Sequence, residues 1–218
     1  SESKYLALPL LGGHPGFDDI YQTLSEISAY TILPNLLQEP QKPLDDYPLD
    51  EEGRNLASVL HAFDEKQRHG LNEALFRIIG DVSGYRVEKS GTRLVTHLHH
   101  KTGENGPNFE LSQESDGTIR VLALLTALYQ RPARPLITLE EPELTIHPGA
   151  MSVLWEEIEK ASAHSQIIVT THSPDLLDMC TVDQIRVIEK EEGITHIGPV
   201  DQEQKAIVHK KLFSPGEI

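Results

Sequence analysis

In the stretch PLITLEEPELTIHP, Pro135 to Pro148, an apolar run (Leu136, Ile137, Thr138, Leu139) passes directly into two carboxylates, Glu140 and Glu141. A proline and a third acid, Glu143, follow. An apolar run without alternation is the pattern of a strand covered on both faces. Pro148 suits the first turn of a helix, where its missing N–H has no partner to lose, so MSVLWEEIEKASA, 151–163, reads as that helix. A second apolar run, QIIVTTHS over 166–173, also turns polar at its end, at Thr170, Thr171 and His172. Ser173 as cap and Pro174 at the first position then open a short helix. Strand, helix and strand within about 30 residues fit one βαβ unit of an α/β, largely parallel sheet.

Ligands of open parallel sheets bind beyond the carboxyl ends of the strands. If the two runs are neighbours, Glu140 and Glu141 meet Thr170, Thr171 and His172 on one edge. A carboxylate there can hold Mg²⁺, usually through water, while a second orients an attacking water. A histidine there can contact a transferring phosphoryl group. Glu143 has no such task and is expected to face solvent. A third segment, LSQESDGTIR over 111–120, sets Ser115, Asp116, Gly117 and Thr118 ahead of the long apolar helix TIRVLALLTALY, 118–129. A helix N-terminus presents free N–H groups to phosphate, and Gly117 would let the backbone approach an anion closely. An ordinary Ser/Asp cap is the plainer reading of the same residues.

Upstream, residues 1–16 read as a Gly- and Pro-rich loop, and FDDIYQTLSEIS, 17–28, as an amphipathic helix with Phe17, Ile20, Leu24 and Ile27 on one face. AYTIL, 29–33, fits a short strand, and the proline- and acid-rich 35–53 a long surface connection. Helices are expected over 55–70 and 71–80, a hairpin over 84–101 turning at Lys89–Gly91, a second hairpin in QIRVIEK and ITHIGPV, and a last helix over 202–212.

The 218 residues carry a net charge of −15, with 38% apolar and 24% charged residues. That is a globular composition whose acidity works against non-specific nucleic-acid binding. No run approaches a membrane span, so no membrane partner is expected. The single cysteine, Cys180, leaves no internal disulfide and fits a reducing, cytoplasmic compartment, where it reads as a small buried apolar residue.

Taken together and in this order, the three segments resemble the C-terminal half of an ABC-type ATPase, most closely the SMC/RecF-like predicted ATPases that include the overcoming-lysogenization-defect type. SQESDGT resembles the signature loop, LITLEEPE the Walker B strand, ELTIHP the D-loop, and IIVTTHSPDLLD the switch segment. NLASVLHAF, 55–63, and FSPGEI, 213–218, are similar less specifically. The resemblance implies a partial P-loop NTPase (ABC ATPase-like) three-layer α/β fold. Residues 1–110 would form its helical and hairpin portion and 111–218 its signature-to-switch portion.

By the same resemblance the cofactors are ATP and Mg²⁺. Glu140 stands where the metal-associated acid is usually Asp, and would support Mg²⁺ through water. Glu141 stands as the catalytic glutamate, His172 as the switch histidine, and His147 lies in the D-loop. Ser115, Asp116, Gly117 and Thr118 would touch a nucleotide held by the partner in a homodimer of heads, with DNA or a protein as further partner of the whole.

No G-x-x-x-x-G-K-[ST] occurs in the 218 residues, and that loop cradles the nucleotide phosphates. The chain is therefore expected to be a piece that begins after the P-loop and glutamine loop, binding ATP weakly or not at all by itself. Two alternatives are weighed. One is a non-catalytic dimerisation or regulatory module of the same shape. The other is a metal-dependent nuclease using THLHH, 96–100, in which only His97 and His99 share a strand face, with Glu140, Glu141 and Glu143 as further ligands.

Overall fold

The computed structural model describes residues 16–44, 48–101, 106–202, 204–205 and 214–217. Among the described residues four helices and four strands precede the segments singled out above, in mixed order. They are α1 (Asp18–Ser25), β1 (Ser28–Tyr30), α2 (Pro34–Leu37), α3 (Leu56–Ala62), α4 (Glu65–Ile79), β2 (Val82–Ser90), β3 (Arg93–His100) and β4 (Asn108–Glu110), counting α4 as the longest of them. After these come α5 (Asp116–Tyr129), β5 (Leu136–Glu140), α6 (Pro148–Ser162), β6 (Gln166–Thr170), α7 (Pro174–Leu177) and the hairpin β7 (Arg186–Glu191) and β8 (Ile194–Pro199).

The expected parallel sheet is present in the order β1-β5-β6, with both pairings parallel. Its register sets Leu139 opposite both Tyr30 and Val169, and Glu140 opposite Thr170. The three strands therefore end at one level. The separate sheet β2-β3-β4 is antiparallel, and its hairpin turns at Gly91–Thr92, between the paired Ser90 and Arg93.

Helix α5 is the centre of the core. Every residue from Gly117 to Leu128 is buried except Arg120. Fully apolar helices need neighbours on all sides, and α2, α3, α4 and α6 supply them. A single hydrophobic cluster runs from Tyr30 through Leu60, Leu98 and Leu122 to Ile158, so the portions before and after residue 110 share one core. The carboxylate of Glu157 enters this core with its hydrogen bonds satisfied. Glu157, 3% exposed, accepts from Tyr129 Oη at 2.8 Å, Arg77 Nη1 at 2.9 Å and Lys160 Nζ at 2.7 Å. Burial and the Glu157 carboxylate push the Tyr129 phenol well above its ordinary value.

Four expectations are corrected. First, the break between the helices expected at 55–70 and 71–80 lies at Phe63–Asp64 instead. Phe63 is extended, and Asp64 with Gln67 forms a reciprocal capping box that starts α4. The helix then runs through Gly70, where a Cβ would lie 2.5 Å from Tyr129 Cε1, so the glycine marks a helix crossing and not an end. Asp64→Ala is expected to cost about 1 kcal/mol, read as a lower urea midpoint with unchanged m-value. Second, 35–53 is no free surface connection. Leu37 and Leu49 are buried, and Gln41 pairs with Leu94 and accepts from Ala57 N. Gln130 Oε1 accepts from Leu49 N at 3.1 Å, and Gln130 Nε2 donates to Tyr30 Oη at 2.6 Å.

Third, β6 is not covered on both faces. It forms one edge of the described sheet, and Ile168 is 46% exposed. Fourth, α1 keeps its apolar face but leaves it open, with Ile20 53% and Leu24 49% exposed. Cys180 is half-buried, and burial pushes its thiol up. Residues 1–15 and most of the helix expected over 202–212 lie outside the described residues. Of FSPGEI, Pro215–Glu217 form a short 3-10 turn, and Gly216 N donates to Asp178 Oδ1. Among the described residues no helix is long and apolar enough to cross a membrane.

Candidate nucleotide site

The ends of β1, β5 and β6 bring the expected groups onto one edge. Glu140, the last residue of β5, accepts from Thr31 Oγ1 through Oε2 at 2.6 Å. The parallel register requires this neighbour, because Tyr30 lies beside Leu139. Glu141 leaves the strand with φ at 42°, in the left-handed region. A non-glycine residue held there costs of order 1–3 kcal/mol and persists only where its surroundings fix it. Its N–H donates to Thr170 O at 3.0 Å, which extends the β5–β6 ladder by one bond. The turn throws the Glu141 carboxylate toward the switch segment, where Oε1 lies 3.9 Å from His172 Nε2. That is proximity, not a hydrogen bond. The His172 side chain is 93% exposed, so its ring is free to meet a ligand.

The D-loop lies between these strand ends and α5. His147 caps α6, its Nδ1 accepting from Gly149 N at 3.1 Å, and its side chain is exposed. Glu143 does not simply face solvent, as expected from sequence. Its Oε1 accepts from Thr171 Oγ1 at 2.5 Å, and its Oε2 is buried without a hydrogen-bond partner. Thr171 Oγ1 in turn accepts from Ser173 N at 2.9 Å. Glu143 thus fastens the D-loop to the residue before the switch histidine.

The signature segment is split by burial. Ser115 caps α5, accepting from Thr118 N at 3.1 Å, and Asp116 accepts from Gln38 Nε2 at 3.3 Å. Both are exposed, whereas Gly117 and Thr118 are buried. The close approach that Gly117 permits is made by this chain's own D-loop, since a Cβ there would stand 2.4 Å from the Thr145 carbonyl oxygen.

Two residues at this edge, Thr31 and Arg120, were not singled out from sequence, and Glu143 was expected only to face solvent. Arg120 is the one break in the buried run of α5, and its Nε is buried without a partner. Burial pushes its guanidinium below the ordinary value, against the opposing carboxylates of Asp116 and Glu141. A charged residue inside an apolar helical run was the available signal for it. Thr31 carried none until the strand order was known.

The oxygen donors at this edge, Glu140 with the Thr31 and Thr170 hydroxyls, suit a hard cation such as Mg²⁺. Among the described residues no group of three or more His, Cys, Asp or Glu is arranged to hold a metal. His99 bonds Asn108, and His100 is engaged by Asp81 and Glu114.

A parallel sheet with acids and a histidine at its carboxyl edge, beside a capped buried helix, defines a P-loop NTPase fold of the SMC-head type. The Smc head bound to the C-winged helix domain of ScpA superposes with a TM-score of 0.59 at 13% identity, over 82% of this chain and 56% of that one. A chain from structural work on ATP-driven dimerization and DNA-stimulated activation of SMC ATPases gives 0.53 at 13% identity, over 72% of this chain and 94% of that one. Residues 23–178 match the family described as "AAA domain, putative AbiEii toxin, Type IV TA system", and the chain belongs to that family. It is also similar to the "Retron Vc95 probable ATPase" of Vibrio cholerae serotype O1 biovar El Tor, at 23% identity over 137 residues. That match takes in 57% of this chain but spans only 26% of the relative's length.

Proposed function

We propose that this chain forms the hydrolytic edge of an ATPase head that works with ATP and Mg²⁺. The observation that carries the reading is the convergence of three parallel strand ends. They set Thr31 against Glu140, and Glu141 beside an exposed His172. In this reading Glu140 supports Mg²⁺ through water, Glu141 orients the attacking water, and His172 contacts the γ-phosphate. Bound Mg²⁺ would neutralise charge on the transferring phosphoryl group. The exposed Ser115 and Asp116, backed by Gly117 and Thr118, contact nucleotide held by a second head in a homodimer. His147, at the start of α6, belongs to the same face. The ATPase and SMC relatives support this assignment, and the head pairing follows the ATP-driven dimerization of the SMC chain.

The phosphate cradle is not among the 218 residues. The outer edge of β6 is open among the described residues, with Ile168 exposed, and it has room for a further parallel strand carrying such a loop. Calorimetry with ATP and Mg²⁺ is therefore expected to find no micromolar binding by the 218 residues alone. A protein that also carries the phosphate loop should bind ATP and hydrolyse it. Micromolar binding by the 218 residues would show a site complete without the cradle. Binding without turnover in the longer protein would favour a non-catalytic module.

A further inference from the structure

The histidine-rich strand THLHH is not used by the hydrolytic edge, yet its last residue reaches the signature segment. His100 ends β3, and both of its ring nitrogens lie within hydrogen-bond distance of carboxylates. Nδ1 is 3.1 Å from Asp81 Oδ2 and Nε2 is 2.7 Å from Glu114 Oε1. By contrast, the nearest carboxylate contacts of His97 are 3.9 Å. The His100 side chain is 13% exposed and that of Glu114 only 6%. Phe109 closes the site, its ring edge-on to the imidazole with centroids 5.1 Å apart. Lys101, next in the chain, is turned away, with its ammonium over the Phe76 ring at 5.0 Å. The charged groups facing His100 are thus Asp81, before β2, and Glu114, before α5.

A neutral imidazole has one N–H and can donate to only one of two carboxylates, whereas an imidazolium donates to both. Burial opposes the charged ring, but the hydrogen bonds and charges of Glu114 and Asp81 outweigh it, and His100 is held above its ordinary value. Glu114 directly precedes Ser115, the cap of α5. Its peptide is extended, and its N–H donates to Leu111 O. Fixing the Glu114 side chain therefore fixes the direction from which the chain enters the exposed Ser115–Asp116 corner.

We propose that the His100 imidazolium, clamped between Asp81 and Glu114, is a positioning residue for the Ser115–Asp116 corner and makes that corner proton-sensitive. Its role in catalysis rests on the reading of 115–118 as a nucleotide-contacting loop; the clamp itself does not. The folded value of His100 is raised. The clamp is therefore fully present below the unfolded histidine value of about 6.5, and is lost as pH rises through the folded value.

Amide hydrogen exchange and imidazole titration by NMR test this without nucleotide, between about pH 5 and 8. In the unaltered chain, exchange at residues 115–118, corrected for intrinsic pH dependence, should quicken by about tenfold as His100 deprotonates. In Glu114→Gln the protection should be lost at every pH, and the His100 midpoint should fall back toward the ordinary value. His100→Gln should match it in exchange. If His100→Gln fails to fold, Glu114→Gln alone decides. Unchanged exchange with an unchanged midpoint in Glu114→Gln overturns the clamp. In the protein that also carries the phosphate loop, Glu114→Gln should lower turnover and flatten its pH profile. Loss of protection in a protein that neither binds nor hydrolyses ATP would uphold the clamp and overturn the nucleotide reading.

Discussion

Replacing Glu141 by glutamine is expected to lower ATP turnover by about 10²- to 10⁴-fold, the range for loss of a positioned general base, while ATP binding is retained. The side chain keeps its length and its place at the left-handed turn, because the backbone there is held by the bond from Glu141 N to Thr170 O. What is lost is the negative oxygen that can take a proton from water. Single-turnover hydrolysis and nucleotide affinity, measured on the protein that carries the phosphate loop, separate the two effects. Unchanged turnover would remove Glu141 from the catalytic role, and lost binding with unchanged turnover per bound ATP would make it a binding residue. Glu140→Gln should behave differently. It leaves the Thr31 hydroxyl an acceptor but weakens the charge available to Mg²⁺, so its effect should shrink as Mg²⁺ is raised.

Gly117→Ala carries the second large effect, and here the sign is informative. Within a helix this change ordinarily gains about 1 kcal/mol. At Gly117 the new Cβ would meet the Thr145 carbonyl oxygen at 2.4 Å and its carbon at 3.3 Å. That neighbour is backbone and cannot rotate aside, so α5 or the D-loop must shift, at a cost of about 1–3 kcal/mol. Urea unfolding should show net destabilisation, and Thr145 and Glu143 amide shifts should report the displaced D-loop. A stabilised Gly117→Ala would mean that the D-loop does not rest on α5. Because Glu143 also holds Thr171, the same displacement should reach the switch segment and lower turnover.

The acidic edge of the parallel sheet was legible in sequence where chemistry changes abruptly along the chain. Apolar strands that end in Glu140–Glu141 and in Thr170–His172 announce both the element and its polar end. The wording of these segments also carried the family resemblance. The helix break expected between residues 70 and 71 lies instead at Phe63–Asp64, where the Asp64–Gln67 capping box, a purely local signal, marks the true start. Gly117 was recognised as a place of close approach, but the partner expected from sequence was an anion and the one found is Thr145.

The sequence by itself determined the α/β class and the points at which apolar runs give way to Glu140, Glu141 and His172, because periodicity and the change from apolar to charged residues are local properties of the chain. Only the tertiary structure decided which strand ends are neighbours. From that neighbourhood follow the bond from Thr31 to Glu140, the fastening of Glu143 to Thr171, and the His100 bridge to Glu114. These contacts join residues 109, 28 and 14 positions apart. Such pairings are set by sheet order and register, which depend on how the whole core packs and not on any one segment.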